Sequence, residues 1–371
     1  MSYERFRRWM REDVLPQWSD VGVDPGTGAF REQLTLAGAA DPVEYTRVRV
    51  QARQIYVFSH AHILGWRGGL AGASRAYGFL TGDGRGAGGC WPRRLNLDGR
   101  VLDATADLYD IAFVLFALAW FARAGGAGEP IDRAHATLDW LERHMASPAG
   151  GFVNTLPRRS EPRQQNPHMH LLEAALALFE TTADRRFLEL ADRLVALCTT
   201  AFLDPATGTL GEFFNDDWSV PDGPQGDHIE PGHHYEWVWL LDRYASASGV
   251  PTSAPSKALY HFARTHGMDP RTGLAVDVVD RRGKVLDGST RVWPQTEAIK
   301  ARIAMGDSYE NLVDALFDRF LDPAPTGAWH DHFDADGRLK SRAVPASSLY
   351  HLFMAFGETA RATGQPHALA A

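Results

Sequence analysis

The feature that most constrains the fold is a repeat of helix starts at nearly constant spacing. Helix starts that carry polar or aromatic side chains fall at Asp107, His170, His233 and Trp293, at steps of 63, 63 and 60 residues. A unit of two helices cannot bury its apolar face alone, so it must pack against the next unit. The repeat therefore predicts helix hairpins stacked along most of the 371 residues.

Hydrophobic periodicity predicts twelve helices, which we group into six pairs. The predicted helices span 2–15, 42–64, 68–81, 104–124, 130–146, 167–182, 184–202, 231–249, 253–267, 289–304, 306–321 and 343–363. Six pairs can close into an all-α (α/α)6 barrel, and the alternative is an open α-solenoid. We expect one domain over 1–371.

The loops between the pairs are long and rich in Pro and Gly, and they have room for short β-hairpins. One such hairpin is predicted around Asn96 and Gly99. In a closed ring the inner helices would point their N-termini toward one cavity, and helix N-termini favour anionic or oxygen-rich ligands. The long loops that carry Trp and His therefore favour the closed ring over the solenoid.

Charge and cysteine content exclude several classes of protein. The net charge is −8, and no run of Lys and Arg in the sequence offers a nucleic-acid surface. Cys90 and Cys198 are far apart and show no metal-type spacing. The N-terminus has no apolar signal core, and no apolar stretch is long enough for a bilayer. We expect a cytoplasmic protein that is a monomer or homodimer.

The segment PGHHYEW, residues 231–237, carries the clearest acid–base pattern. His233 and Glu236 are three residues apart and lie on one face of a helix. A carboxylate beside an imidazole orients the ring and favours its protonated form. At a helix start the pair can face a cavity. The alternative interpretation is a capping Glu beside a surface His.

The segment NPHMHLLEA, residues 166–174, repeats this spacing with His170 and Glu173. Asn166 is predicted to cap the helix, with Pro167 in the first helical position. His168 and His170 could instead bind a metal ion. We expect no metal and no other cofactor.

Two further segments offer polar groups on predicted inner helices. Arg53 lies among apolar positions, so it either pairs with a buried acid or points into the cavity. In the segment DLYD, Asp107 can cap its helix. Tyr109 is a candidate for substrate contact, and Asp110 could hold a neighbouring Arg.

The last two segments combine aromatic residues with histidine. Trp293 precedes Pro294 and is predicted to be extended, with its indole over the cavity mouth or in the core. Residues 329–334 alternate like a strand, so His330 and His332 share a face. At least one of these two histidines is expected to face the cavity.

Several histidines near carboxylates, an Arg and aromatic walls fit proton transfer at a neutral sugar. A general base with pKa near neutrality can abstract the proton next to a carbonyl after ring opening. An Arg or a protonated His can then stabilise the cis-enediolate. Return of the proton to C1 gives a ketose, and return to C2 from the opposite face gives an epimer.

The order of QARQ, DLYD, NPHMHLLEA, PGHHYEW, WPQTEA and WHDHFD resembles the N-acylglucosamine 2-epimerase superfamily. The resemblance covers about residues 45–355 and is strongest to the D-mannose isomerase branch. It implies an (α/α)6 barrel and chemistry without a metal.

The resemblance also implies roles for individual residues. Arg53 would bind the monosaccharide. Tyr109, Asn166, Trp293 and Asp110 are further candidates for substrate binding, from their own places in the sequence pattern. His170 would assist ring opening, and His332 would be the C1/C2 proton shuttle. His233 and Glu236 would support it.

The reaction this implies is the interconversion of D-mannose and D-fructose, with D-lyxose and D-xylulose as further substrates. A sugar 2-epimerase and a sulfoquinovose isomerase are alternatives on the same scaffold. A glycoside hydrolase that uses two of Asp110, Glu236, Glu297 and Asp331 is a remote alternative. A sugar-binding module without catalysis would not need repeated His–carboxylate pairs.

Overall fold

The computed structural model describes residues 2–126 and 128–370 of the chain, and it is dominated by α-helices. The helices are α1 Ser2–Arg8, α2 Leu15–Asp20, α3 Val48–Ile63, α4 Gly69–Thr81, α5 Leu108–Arg123, α6 Glu129–His144, α7 Asn166–Thr182, α8 Arg185–Leu197, α9 Pro231–Ser248, α10 Ser253–His266, α11 Val292–Met305, α12 Glu310–Leu316 and α13 Leu349–Ala362. A π-helical segment, Trp9–Val14, joins α1 to α2. Two more such segments, Cys198–Phe202 and Phe317–Leu321, extend α8 and α12. When each π-helical segment is counted together with the α-helices it joins, the described ranges contain twelve continuous helices, as the periodicity predicts.

Composition separates an inner from an outer layer of helices. α5, with the sequence LYDIAFVLFALAWFAR, is apolar on nearly all sides and is buried along most of its length. α8, with the sequence RRFLELADRLVAL, is apolar on one side only and leaves its polar side exposed. A helix that is apolar all round must be surrounded by other elements, whereas an amphipathic helix covers a core from outside.

Six inner helices form a closed ring in the order α3, α5, α7, α9, α11 and α13. Each inner helix packs against the next, and α13 packs back against α3. The outer helices α4, α6, α8, α10 and α12 each pack on the inner helix that precedes them, and α1 packs against α12 and α13. The prediction of an (α/α)6 barrel is therefore confirmed, and the open solenoid is excluded.

Fifteen short strands occupy the connections within the described ranges. They are β1 Gln33–Thr35, β2 Tyr45–Arg47, β3 Arg94–Asn96, β4 Val101–Asp103, β5 Ala106–Asp107, β6 Thr155–Leu156, β7 Arg163–Gln164, β8 Leu203–Asp204, β9 Thr209–Leu210, β10 Phe213–Phe214, β11 Val278–Val279, β12 Val285–Asp287, β13 Thr290–Arg291, β14 His332–Phe333 and β15 Ala343–Pro345. Every strand pair is antiparallel. β3 and β4 form the hairpin predicted around Asn96 and Gly99.

Many pairs join different loops and so connect the entrances of the inner helices. β2 pairs with β3, β5 with β6, β7 with β10, and β13 with β14, and β1 pairs with β15 across the ends of the chain. These strands correct four predicted helix starts, because residues assigned to helix lie in β2, β5, β13 and β15. The affected predictions are 42–64, 104–124, 289–304 and 343–363.

No helix in the described ranges combines the length and the apolar composition that crossing a membrane requires. Both cysteines are free, with Cys90 exposed and Cys198 buried.

Candidate active site

A cavity of about 310 Å³ lies where the inner helices begin, on the side of the ring that carries the long loops. All six inner helices contribute a residue to it. Its polar lining consists of Arg53, Tyr109, Asn166, His170, Glu230, His233, Glu236, Arg291, Asp331, Ser347, Ser348 and His351. Seven of the nine predicted site residues thus share one cavity: Arg53, Tyr109, Asn166, His170, His233, Glu236 and Trp293.

His233 is held by a residue that the sequence pattern did not suggest. Its Nδ1 lies 2.9 Å from Oε2 of Glu212, which comes from the loop before α9, and 4.0 Å from Glu230. Burial alone would lower the pKa of His233, but the charges of Glu212 and Glu230 outweigh burial and raise it to about 9. The predicted partner Glu236 is not in hydrogen-bond contact with this ring, so that pairing is wrong.

Glu236 instead presents an unpaired carboxyl group to the cavity. Neither of its oxygens has a hydrogen-bond partner among the described residues, although both are buried. Burial and the neighbouring charge of Glu297 raise its pKa well above the ordinary value. A buried carboxyl group without a partner is costly unless it is protonated or bound by a ligand. Glu236 is therefore suited to exchange a proton with a substrate hydroxyl.

His170 forms the predicted pair with Glu173, three residues along α7. Its Nδ1 lies 3.2 Å from Oε2 of Glu173 and 3.8 Å from Glu236. Burial, with a further contribution from the charge of Arg53, lowers the pKa of His170 well below its ordinary value. The ring is thus neutral, and its Nε2 has no partner among the described side chains and backbone groups.

His351 lines the cavity and is absent from the sequence-based site. Its Nδ1 lies 2.8 Å from Oε1 of Glu297, and the other oxygen of Glu297 lies 2.6 Å from Nζ of Lys300. Burial lowers the pKa of His351 well below its ordinary value, assisted by the positive charges of Arg53 and Lys300. The ring is a neutral base whose Nε2 has no partner in the described ranges. One further step of the repeat from Trp293 reaches the start of α13, and this signal could have found it.

Trp293 lies in the first turn of α11, so the prediction of an extended conformation is wrong. Pro294 follows at the third helical position, where its missing N–H is not needed. The indole lines the cavity, as one of the two alternatives predicted. Its ring centroid lies 5.0 Å from that of His233 and 5.7 Å from that of His351, so it packs against both.

His332 does not line the cavity, contrary to the expectation for the pair His330 and His332. Its Nε2 lies 3.2 Å from Asp277, and its backbone pairs with Arg291 in the β13–β14 ladder. Neighbouring residues of an extended segment point in opposite directions. Asp331 faces the cavity and hydrogen-bonds Ser348, so His332 faces away. Only His332 and Phe333 of the predicted strand 329–334 form strand structure.

Arg53 on α3 is held by α5 on one side and by the turn before α13 on the other. It donates to the Ser347 carbonyl oxygen at 2.9 Å and to the Tyr109 hydroxyl at 2.8 Å. Its guanidinium has no carboxylate partner among the described residues. Asp110 is buried and pairs with Arg49 at 2.9 Å, so it holds a neighbouring Arg as predicted and does not line the cavity.

Asn166 is the first residue of α7, and Gln165 occupies the cap position, so the predicted capping role is wrong. The buried Oδ1 of Asn166 has no hydrogen-bond partner in the described part of the chain. Because Asn166 lines the cavity, this oxygen can accept a hydrogen bond from a ligand. Asp107 does cap α5, accepting from the Tyr109 N–H.

The histidines close in sequence to His170 and His233 are structural. His168 accepts from the Phe152 N–H at 3.0 Å through Nε2, and its Nδ1 lies 3.0 Å from the Gln164 carbonyl oxygen. His234 makes the same pair of contacts with Leu210 and Glu230. Both rings use both nitrogens, which rules out the His168–His170 metal pair.

Among the residues that the structure describes, two groups have donor atoms close enough to hold a metal ion. They are Glu212, Glu230 and His233, and Glu236, Glu297 and His351. Each already contains or adjoins a fixed cation, since Arg291 pairs with Glu230 and Lys300 with Glu297. A second cation at either place would be repelled, so the donor sets fit a protein-supplied charge better than a metal.

Comparison with known proteins identifies relatives along nearly the whole chain. The family described as N-acylglucosamine 2-epimerase (GlcNAc 2-epimerase) matches residues 28–355. A protein of Rhizobium meliloti (strain 1021) named mannose-6-phosphate isomerase is 34% identical over 375 residues, covering 94% of each chain. A Thermobifida fusca protein named D-mannose isomerase is 30% identical over 330 residues, covering 80% of each.

A solved structure supports the same architecture. The crystal structure of a D-mannose isomerase superimposes with a TM-score of 0.86 at 21% identity. The superposition covers 97% of this chain and 98% of that one. The likeness establishes the fold of this chain.

Proposed function

Because the chain belongs to the N-acylglucosamine 2-epimerase family, whose matched members are sugar isomerases and epimerases, we propose that it interconverts D-mannose and D-fructose without a metal. D-Lyxose and D-xylulose are further candidate substrates. The observation that carries the proposal is that two histidines pack against the same indole, each with its Nδ1 held by a glutamate. His351 supplies the base, His233 supplies the cation, and Trp293 packs against both.

The first half-reaction removes the C2 proton of the open-chain aldose. The free Nε2 of His351 takes this proton, because Nδ1 is occupied by Glu297 and the ring is neutral. Negative charge develops on the carbonyl oxygen O1. The cationic ring of His233 donates a hydrogen bond to this oxygen and stabilises the enediolate in a buried site.

The second half-reaction returns the proton from His351 to C1. The hydroxyl protons must also rearrange, since O1 becomes a hydroxyl group and O2 a carbonyl group. Glu236 gives a proton to O1 and receives one from O2, a role that its raised pKa and unpaired oxygens support. His170 assists ring opening from α7.

Arg53, Tyr109 and Asn166 bind the rest of the sugar. Arg53 is fixed by Ser347 and Tyr109, so its orientation is set before a substrate arrives. Asp331 and Arg291 supply further polar groups in the same cavity. Asp110 acts at a distance, because it positions Arg49. In this proposal the role of proton shuttle passes from His332 to His351.

Identification of the product tests the proposal. Purified protein is incubated with D-mannose in the presence and absence of a chelator, and the sugars are separated and quantified. Fructose at equal rates in both samples is the expected result. Loss of turnover with the chelator would contradict a metal-free reaction, and absence of fructose would contradict the isomerase.

A 2-epimerase is the second candidate, favoured by the position of His170. α7 and α13 are well separated around the ring, and each presents a neutral histidine whose Nδ1 is held by a glutamate. Two bases on different walls could act on both faces of C2. Glucose from mannose, formed before fructose, would identify this reaction.

A further inference from the structure

A second cavity of about 340 Å³ adjoins the candidate active site and is lined by arginine. Five of its fourteen lining residues are Arg47, Arg49, Arg53, Arg93 and Arg159. We call this cavity the arginine annex. Such a concentration of positive charge is unusual in a chain with a net charge of −8.

Fixed acids neutralise only part of this charge. Arg49 pairs with Asp110 at 2.9 Å, Arg93 lies 3.5 Å from Asp107, and Arg47 pairs with Glu32. Arg53 and Arg159 have no carboxylate within salt-bridge distance in residues 2–126 and 128–370. Glu161 also lines the annex, and its side chain is exposed. The annex therefore retains positive charge that a bound anion can satisfy.

The annex is continuous with the place where a sugar would be bound. Arg53, Tyr109, Asn166 and Ser347 line both cavities. The reacting end of the sugar must lie near His351 and His233, so its distal end points toward this shared wall. A substituent on the distal carbon would enter the annex.

We propose that the arginine annex binds a phosphate group on the distal carbon of the substrate, which makes a phosphorylated hexose the preferred substrate. This inference rests on the proposed isomerase function and specifies its substrate class. The guanidinium groups of Arg93, Arg159 and Arg49 offer several N–H donors each, and their planar geometry matches phosphate oxygens. A neutral hexose would leave these donors to water.

Competition between two substrates tests the inference. The value of kcat/KM is measured for mannose 6-phosphate and for mannose with the same purified protein. A preference for the phosphorylated sugar of about tenfold or more is expected, the size of one charge-assisted hydrogen bond. Equal values, or a preference for mannose, would overturn the inference and leave the isomerase proposal intact.

Two variants at adjacent positions test whether the annex causes the preference for the phosphorylated sugar. In Arg159→Gln the ratio of the two kcat/KM values should fall by about tenfold. Arg158→Gln is the matched control, since Arg158 lies next in sequence but pairs with Asp216 outside the annex. An unchanged ratio in Arg159→Gln, or an equal fall in both variants, would contradict the assignment.

Calorimetric binding keeps the inference testable if neither sugar is turned over. The absence of turnover would reject the isomerase proposal. The binding measurement would still show whether the annex holds the phosphate group of the sugar. Mannose 6-phosphate should bind more tightly than both mannose and inorganic phosphate. If inorganic phosphate alone binds, the annex holds a free anion and the substrate assignment is wrong.

Discussion

At the scale of single residues, the neighbours of each carboxylate decide which histidine is charged. His233 contacts Glu212 and lies near Glu230, and their combined charge favours the imidazolium. His351 contacts Glu297, whose charge is already compensated by Lys300 at 2.6 Å. Two similar His–Glu contacts thus give an acid and a base in one cavity.

Replacement of His351 separates the proposed base from the residue that the sequence suggested. His351→Gln should lower kcat by about 10²- to 10⁴-fold, because it removes the group that carries the proton. His332→Gln should have a much smaller effect, since that ring lies outside the cavity and faces Asp277. Steady-state kinetics of both variants give the two values of kcat to be compared. A larger loss in His332→Gln would reverse the assignment.

The pH dependence of activity tests the charge on His233. The pKa of His233 is raised to about 9, and the protonated ring is the active form, so kcat/KM should fall as pH rises through about 9. Glu212→Gln removes the principal charge that raises this pKa, and the alkaline limb should move to lower pH. The surface change Glu4→Gln serves as the control. An alkaline limb that stays in place in Glu212→Gln would contradict this assignment.

At the scale of helices, a glycine at the start of α9 sets the position of Trp293. A Cβ atom on Gly232 would lie 2.5 Å from Cη2 of Trp293, closer than unbonded carbon atoms allow. Only glycine therefore lets α9 and α11 approach at the cavity. Pro231 and Gly232 are the first two residues of α9. Gly232 is therefore needed for the packing of this helix against Trp293.

Gly232→Ala should displace the indole and misplace the groups that pack on it. Because small displacements in an active site reduce rates strongly, kcat/KM should fall by about tenfold or more. Gly78→Ala is the matched control, since Gly78 also lies in a helix and a Cβ atom added there would have no neighbour within 4 Å. Normal activity in Gly232→Ala would show that the position of Trp293 is unimportant.

The helices could be predicted from the sequence because each has a continuous apolar pattern. The exact first residues of several helices could not. The residues before α3, α5, α11 and α13 form strands only by pairing with distant loops. Such pairs are set by the closure of the ring and leave no local signal. Site residues on inner-helix starts were found by spacing, but the Glu212–His233 contact joins a loop to a helix and has no fixed spacing.

At the scale of the whole molecule, the N-terminal helices complete the outer layer around the ring. Trp18 near the end of α2 stacks on Trp329 with ring centroids 5.3 Å apart and donates to the Gly327 carbonyl oxygen at 3.2 Å. β1 pairs with β15 near the other end of the chain. These contacts join residues more than 300 positions apart in sequence.

Trp18→Ala should destabilise the protein by about 3–5 kcal/mol, because it leaves a cavity and removes the stacking partner of Trp329. Denaturant unfolding measures the change in free energy. Val220→Ala at a site that is 48% exposed is the control, and its free energy of unfolding should change little. An equally small effect in Trp18→Ala would show that the ring closes without this contact.

The central claim is that a buried histidine moves a proton between C1 and C2, and isotope transfer tests this most directly. The protein is supplied with D-mannose in deuterium oxide, and the fructose formed is analysed by proton NMR. The account predicts deuterium at one of the two C1 positions, because His351 exchanges its proton with solvent and acts from one wall. Fructose and residual mannose that both carry no deuterium after many reversible turnovers would contradict proton transfer through an imidazole that exchanges with solvent.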